Sequence, residues 1–346
     1  MEKEIRREIE MGAEKEQGRI EWIDCARGIA ILMVIVGHGV DGFLRAMIFS
    51  FHMPLFFILS GRTSRGSKDQ KEWIQRTKKA WRRLMVPAIT VYFLRTAVFI
   101  WQDWSRLGDL SYWKGVLCTF LFASGVEIEN SGIFGGISVE AMGIPWFFFA
   151  LFFGKSMYDY LHLTCSGRRL ILACGAASVV GVILGKVQWL PCSLDIALAV
   201  QPFFYMGDRL KLMELKKGSW KIFIVSCVIW LLTLAFEYPD WSQWTYMELA
   251  WRRYPIYPLC FVTAAAGSLF WCEVSVYLLK LGNLVRPLLF LGKNSLYMLC
   301  VHIMDYLWQP FCYEIGPALV SLLLKIFVDF VVFIFVMVIR RRIKQL

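Results

Sequence analysis

The sequence predicts an all-α polytopic membrane protein, with about ten transmembrane helices in one bundle and cytoplasmic N- and C-termini. Three observations predict it. The chain of 346 residues is 58% hydrophobic and only 19% charged, whereas globular domains have about 45–50% apolar and about 25% charged residues. Apolar runs long enough to cross a bilayer recur along its whole length. The net charge of +11 is gathered into blocks between those runs, and no nucleic-acid motif accompanies it. That distribution is the positive-inside pattern of a membrane protein and excludes nucleic acid as a partner.

The first 20 residues are polar, mixed in charge and lack an apolar core. They predict a cytoplasmic tail over 1–20 rather than a cleavable signal peptide, with one membrane domain over 21–346. Spans are predicted near 27–45, 47–61, 84–102, 145–161, 170–187, 192–208, 220–237, 254–277, 290–308 and 314–339. With the N-terminus inside, the cytoplasmic segments include "RTSRGSKDQKEWIQRTKKAWRR" and the terminal "RRRIK". The opposite segments carry most loop acids, among them Asp103, Asp109, Glu127, Glu129, Glu140, Asp240 and Glu248. The apolar stretch 111–124 is too short to span and predicts a re-entrant or interfacial helix. The Gly/Ser-rich stretch 125–143 after it predicts an outer loop over the bundle. The ten cysteines show no CxxC pair and no metal spacing, so no metal centre is expected. A disulfide between outward-facing cysteines such as Cys192 and Cys312 is left open.

Ionisable residues at membrane depth are costly and mark functional sites. In "RGIAILMVIVGHGV" the eleven-residue step from Arg27 to His38 returns to within about 20° on a helical wheel and rises about 16 Å. Asp24, Arg27, His38, Asp41 and Arg45 would then form one polar stripe, lining a cavity or a packed polar seam. Imidazole is neutral but basic near pH 7, as a general base must be. Gly37 and Gly39 allow a close approach to it. Pro54 predicts a kink in the second span, and His52 either bonds backbone freed by that kink or serves in catalysis. His302 and Asp305, three residues apart on one face, either line the site or pair structurally. Lys325 and Asp329, four apart, read as an internal ion pair. No GxSxG elbow, Walker loop, HExxH motif or dinucleotide fingerprint is present.

"RIEWIDCARGIAILMVIVGH", "IFSFHMPLFFILSG" and the basic run ending "RRLMVP" together resemble the opening of the membrane acyltransferase-3 family. The similarity is nearest to its fucose 4-O-acetylase-like branch. Weaker matches follow in "IPWFFFALFF", "SLDIALAVQPFFYMGDRL" and "LGKNSLYMLCVH". The resemblance implies a ten-helix bundle in the plasma (inner) membrane. It implies transfer of an acyl group, commonly acetyl, from cytoplasmic acyl-CoA to a hydroxyl, usually of a surface glycan. The family's Arg-x10-His signature falls on Arg27 and His38, and Arg82, Arg83 and Pro87 match a basic-then-proline element. A lone membrane domain without a hydrolase-like extension is implied.

These expectations combine into one layout. The phospho-ADP head of acetyl-CoA is expected on Arg27, Arg62, Arg82 and Arg83, whose guanidinium forks suit phosphate. The thioester is expected near His38, which takes the acceptor's proton, with Asp41 orienting the imidazole. His52, His302 and Asp305 are expected on the acceptor side. The expected partners are acyl-CoA, a carbohydrate or other hydroxyl acceptor and membrane lipid, with homo-oligomerisation open. A transporter of a small solute such as an amino acid is the alternative, and a scaffold the third reading.

Overall fold

With no water to hydrogen-bond a lipid-exposed backbone, an apolar chain satisfies its amides within helices, and the described residues follow that rule. The structure, a computed structural model, describes residues 20–128, 139–213, 218–237 and 246–343. Residues 1–19 of the predicted tail, the middle of the loop 125–143 and residues 238–245, Asp240 among them, lie outside them.

The helices are α1 Glu21–Gly37, α2 Gly42–Phe49, α3 His52–Thr63, α4 Gln70–Gln102, α5 Leu110–Phe122, α6 Trp146–Thr164, α7 Gly167–Val187 and α8 Leu194–Ala199. They continue as α9 Gln201–Arg209, α10 Trp220–Glu237, α11 Leu259–Leu278, α12 Arg286–Lys293, α13 Ser295–Ile303, α14 Gln309–Glu314 and α15 Ala318–Ile343. Extended pairing among the described residues is confined to isolated bridges, Ile128 with Val139 and Glu248 with Arg253. Among the described residues, six helical stretches are long and apolar enough to cross a membrane: 42–63, 70–102, 167–187, 220–237, 259–293 and 318–343. The chain is therefore a multi-pass membrane protein. Its segment 110–122 is a shorter apolar helix.

The buried centre is aromatic. Phe51, Phe57, Phe148, Phe203 and Phe204 are fully enclosed, and Phe203 stacks on Phe261 with ring centroids 4.8 Å apart. Glycines draw the inner helices together. A Cβ on Gly292 of α12 would overlap the Asp24 carbonyl of α1, and one on Gly207 of α9 would overlap the Ile58 carbonyl of α3. Small residues permit this backbone contact where lipid supplies no hydrophobic drive. The outward faces of α10 and α15 instead carry Leu232, Phe236, Phe327 and Phe335 in the open, as lipid-facing helices do.

The breaks differ from the sequence expectation in ways that matter for the site. The predicted span 27–45 is not one helix: α1 ends at Gly37, Asp41 is fully extended, and α2 begins at Gly42 with a φ of 61°. Gly37, Gly39 and Gly42 crowd this short run, and glycine costs a helix about 1 kcal/mol per residue relative to alanine. The polar stripe is therefore cut after His38: Asp41 precedes a second helix, and Arg45 belongs to it. Pro54 causes no mid-helix kink, because it falls in the first turn of α3, where no intrahelical amide bond is lost. The break comes earlier, at Ser50 and Phe51. The predicted spans 192–208 and 290–308 are likewise interrupted, between α8 and α9 and between α12 and α13. All ten cysteines are free thiols, Cys192 and Cys312 included.

Candidate active site

The end of α1 opposite Arg27 delivers His38 to a cavity of about 200 Å³. Its walls come from separate parts of the chain. Helix α1 gives Val34 and His38, α2 gives Arg45 and Phe49, and α3 gives His52 and Met53. The residues before α6 and the loop after α10 add Gly143, Ile144 and Met247 to Trp251. The volume lies below the ~300–1,000 Å³ of drug-sized pockets, so it suits a single small group. Its lining is mainly apolar with a few convergent polar groups, the usual make-up of a ligand site.

The His38 ring is open to this cavity and lies against Phe49 on one side, centroids 5.8 Å apart, and His302 on another, 5.3 Å apart. His52 is buried and its Nδ1 donates to the Ile48 carbonyl at 2.8 Å, spanning the break between α2 and α3. That leaves Nε2 as an acceptor on a ring lining the cavity. His52 thus bonds backbone at the α2–α3 break, not at a proline kink, and also lines the cavity.

The cavity's fourth ionisable group is Glu248, noted in the sequence only as a loop acid. It is 6% exposed, and its Oε2 is buried without a hydrogen-bond partner. Burial raises its carboxyl from the ordinary 4.5 to about 7, against the opposing pull of Arg45 and Arg253. The folded protein therefore retains a proton here between about pH 4.5 and 7 that the unfolded chain releases. Stability falls as pH rises through that window and is level above it, by about 3 kcal/mol at most. Glu248→Gln is expected to raise the thermal midpoint above wild type at pH 8 and to leave it unchanged near pH 4. Parallel midpoints at both pH values would show that the carboxylate is not desolvated.

The loop that carries Glu248 is held by a buried ion pair that the sequence did not reveal. Arg252, 3% exposed, donates through Nε to Asp195 at 2.8 Å and through Nη2 to its other oxygen at 3.4 Å. Its Nη1 reaches Ser124 and the Ala250 carbonyl, and its guanidinium stacks 4.0 Å from the Trp189 ring. The clamp joins the loop to the start of α8 and to the end of α5. Asp195 lies in "SLDIALAV", one of the weaker family matches, and that was its only sequence signal.

The remaining predicted residues fall into distinct places. Arg27 is near the start of α1, where Asp24 lies 3.7 Å from its guanidinium. Arg62 is in the last turn of α3, half-buried, and Arg82 and Arg83 are exposed on α4. Asp41 is corrected: it is largely exposed and pairs with Arg45 at 3.5 Å, because the α1 break turns it off the His38 face. His302 and Asp305 are absent from the cavity wall and stand behind His38. Asp305 accepts from His302 Nδ1 at 2.8 Å. Lys325 reaches Asp305 at 2.6 Å and Asp329 at 3.2 Å. The predicted Lys325–Asp329 ion pair is thus one part of a larger cluster. The donor atoms of His302, Asp305 and Asp329 lie within 4.8 Å of one another, and the Lys325 ammonium supplies the cation between the carboxylates.

A multi-pass helical membrane protein with an accessible imidazole in a small cavity, backed by a buried charged cluster, is the class that fold and site define. The acyltransferase-3 family, described as an acyltransferase domain, matches residues 20–340, and the chain belongs to that family. It is also similar to nodulation protein NolL of Mesorhizobium japonicum, 25% identical over 203 residues, covering 53% of this chain and 46% of that protein. The chain thus matches less than half the length of this curated relative. No solved structure matches.

Proposed function

We propose that the protein transfers an acyl group, acetyl in the simplest case, from cytoplasmic acyl-CoA to a hydroxyl of an extracytoplasmic acceptor. The observation that carries this is the accessible His38 imidazole in its cavity, at the opposite end of α1 from Arg27. Membership in the acyltransferase family makes acyl transfer the chemistry. The acceptor is a cell-surface sugar, of the kind the fucose-acetylase-like motifs imply. Trp146 and Trp251 in the cavity wall suit a sugar ring. The chain lies in the plasma (inner) membrane with both termini cytoplasmic. In this reading α1, α6, the α8–α9 pair and α13 join the six strong spans, for about ten crossings.

In the reaction His38 removes the acceptor's hydroxyl proton, the oxygen attacks the thioester carbonyl, and the carbon–sulfur bond breaks to release CoA. His52 faces the same cavity and is placed to accept a hydrogen bond from an acceptor hydroxyl. Arg27 holds a phosphate of the donor's head, with Arg62, Arg82 and Arg83 completing a basic cytoplasmic rim. Purified protein given labelled acetyl-CoA and a panel of sugar, peptide and lipid-linked acceptors tests the whole reading. Label that is neither transferred nor hydrolysed, with no CoA binding, removes it. Arg27→Ala is expected to weaken CoA binding about tenfold or more, from the loss of a charge-assisted hydrogen bond. Equal affinity would place the phosphates elsewhere.

One observation favours the transporter alternative. Helices interrupted inside the membrane mark transport sites, and 194–209 and 286–303 are interrupted. Neither break supplies a residue to the cavity wall, however: the Asp195 carboxylate is taken by Arg252 and the Asn294 amide by the Phe290 carbonyl. Solute accumulation in reconstituted vesicles, without acyl transfer, would favour the transporter.

A further inference from the structure

Behind the cavity, α13, the turn after it and α15 bury a group whose charges do not balance. Asp305 and Asp329 face one ammonium, Lys325, and the Trp308 indole donates to Asp329 at 2.8 Å. With His302 neutral, two carboxylates against one ammonium leave a single negative charge in a buried place, where an uncompensated charge is strongly disfavoured. A proton on His302 would cancel it.

The hydrogen bonding leaves room for that proton. Asp305 is 2.8 Å from His302 Nδ1, so Nδ1 carries the hydrogen and Nε2 is the acceptor. His302 is 1% exposed, and its Nε2 has no partner. The ring beside it is His38, centroid to centroid 5.3 Å, and His38 in turn opens to the cavity. A buried imidazole with one nitrogen held by a carboxylate and the other unbonded, next to the candidate base, has the geometry of an orienting residue.

We propose that His302 is the positioning and proton-relay residue behind His38. This rests on the acyl-transfer reading. When the acceptor binds, the unbonded His302 Nε2 takes up the N–H of the adjacent His38 ring, which fixes the tautomer and leaves the other His38 nitrogen free toward the acceptor hydroxyl. When the O–H bond breaks, its proton goes to that nitrogen. The far His38 proton passes to His302 Nε2, and the acceptor oxygen attacks the thioester as the carbon–sulfur bond breaks. The proton returns through His38 to the departing CoA thiolate, so none is gained or lost. The buried cluster is neutral while it holds the proton, which is why its resting charge deficit suits the step. Lys325, Asp305, Asp329 and Trp308 hold the relay ring in place.

The test uses the full-length protein in detergent or vesicles, with the acceptor found for the wild type. His302→Gln and Asp305→Asn are each expected to lower kcat about 10²-fold, within the range of a lost acid–base contribution. CoA affinity should stay within about twofold, since neither residue lies at the Arg27 end of α1. The distinguishing readout is the rate in H2O/D2O mixtures. The wild type should give a bowed dependence, from two protons in flight, and the variants a straight one. A straight wild-type dependence, or unchanged kcat in both variants, overturns the relay. If His302→Gln fails to fold, Asp305→Asn decides by the same measurement. A wild type that transfers no acyl group removes the underlying function instead, so the two failures are distinguishable.

Discussion

His38→Ala is expected to lower acyl transfer by about 10²–10⁴-fold, the usual loss when a positioned general base is removed, while CoA binding persists. The separation of the two effects follows from geometry. His38 closes α1 at one end, open to the cavity, with Phe49 and His302 as its ring neighbours. Arg27 lies near the other end of that helix, about 16 Å away along its axis. Truncating an accessible ring removes little packing, so folding should be close to wild type. Transfer rate at saturating donor and acceptor, with CoA affinity beside it, is the measurement. Wild-type turnover in the variant would take His38 out of the chemistry and leave the cavity as a binding site alone.

Arg252→Ala is expected to be the most damaging change outside the cavity wall, costing about 3–5 kcal/mol. Removing one partner of a buried ion pair strands the other charge without solvent. Asp195 would be that charge, at 0% exposure and with Arg252 as its ion-pair partner. Lost as well would be the bonds to Ser124 and the Ala250 carbonyl and the stacking on Trp189. Those contacts tie the Glu248 loop over the cavity, so acceptor KM should rise more than donor KM. Thermal unfolding in detergent reads the stability, and the double variant Asp195→Asn/Arg252→Met should recover part of it, because no bare carboxylate then remains. A midpoint within a degree of wild type for Arg252→Ala would show that the pair is solvated rather than buried.

Much of the scaffold was legible in the sequence. Each of the six strong spans overlaps a predicted one, since a long apolar run dictates a helix wherever backbone amides have no water, although 70–102 starts 14 residues before the predicted 84–102 and 259–293 runs 16 residues past the predicted 254–277. The breaks were less legible. The run from Arg27 to Arg45 is apolar enough to read as one helix, and three glycines with Asp41 outweighed that pattern. At Pro54 the reverse held: a proline reads as a kink only when its position within the helix is known, and here it lies in the first turn. The site was legible in pieces. His38 stood out by its spacing from Arg27, and His52, His302, Asp305, Lys325 and Asp329 stood out as ionisable residues in apolar surroundings. Glu248 and Arg252 did not, because loop charges look solvated until a neighbour is seen to cover them.

By itself, the sequence determined the helical class, the membrane setting and the placing of an arginine and a histidine at opposite ends of one helix. These depend on local properties: apolar length, charge between runs and a helical rise that is the same in every protein. Only the tertiary structure decided which distant residues meet. It set His302 rather than Asp41 beside His38, gathered Asp305, Lys325 and Asp329 into one buried cluster, and laid Glu248 over the cavity through the Arg252–Asp195 clamp. Helix packing brings those groups together, and contacts between residues on different helices leave no periodicity along the chain.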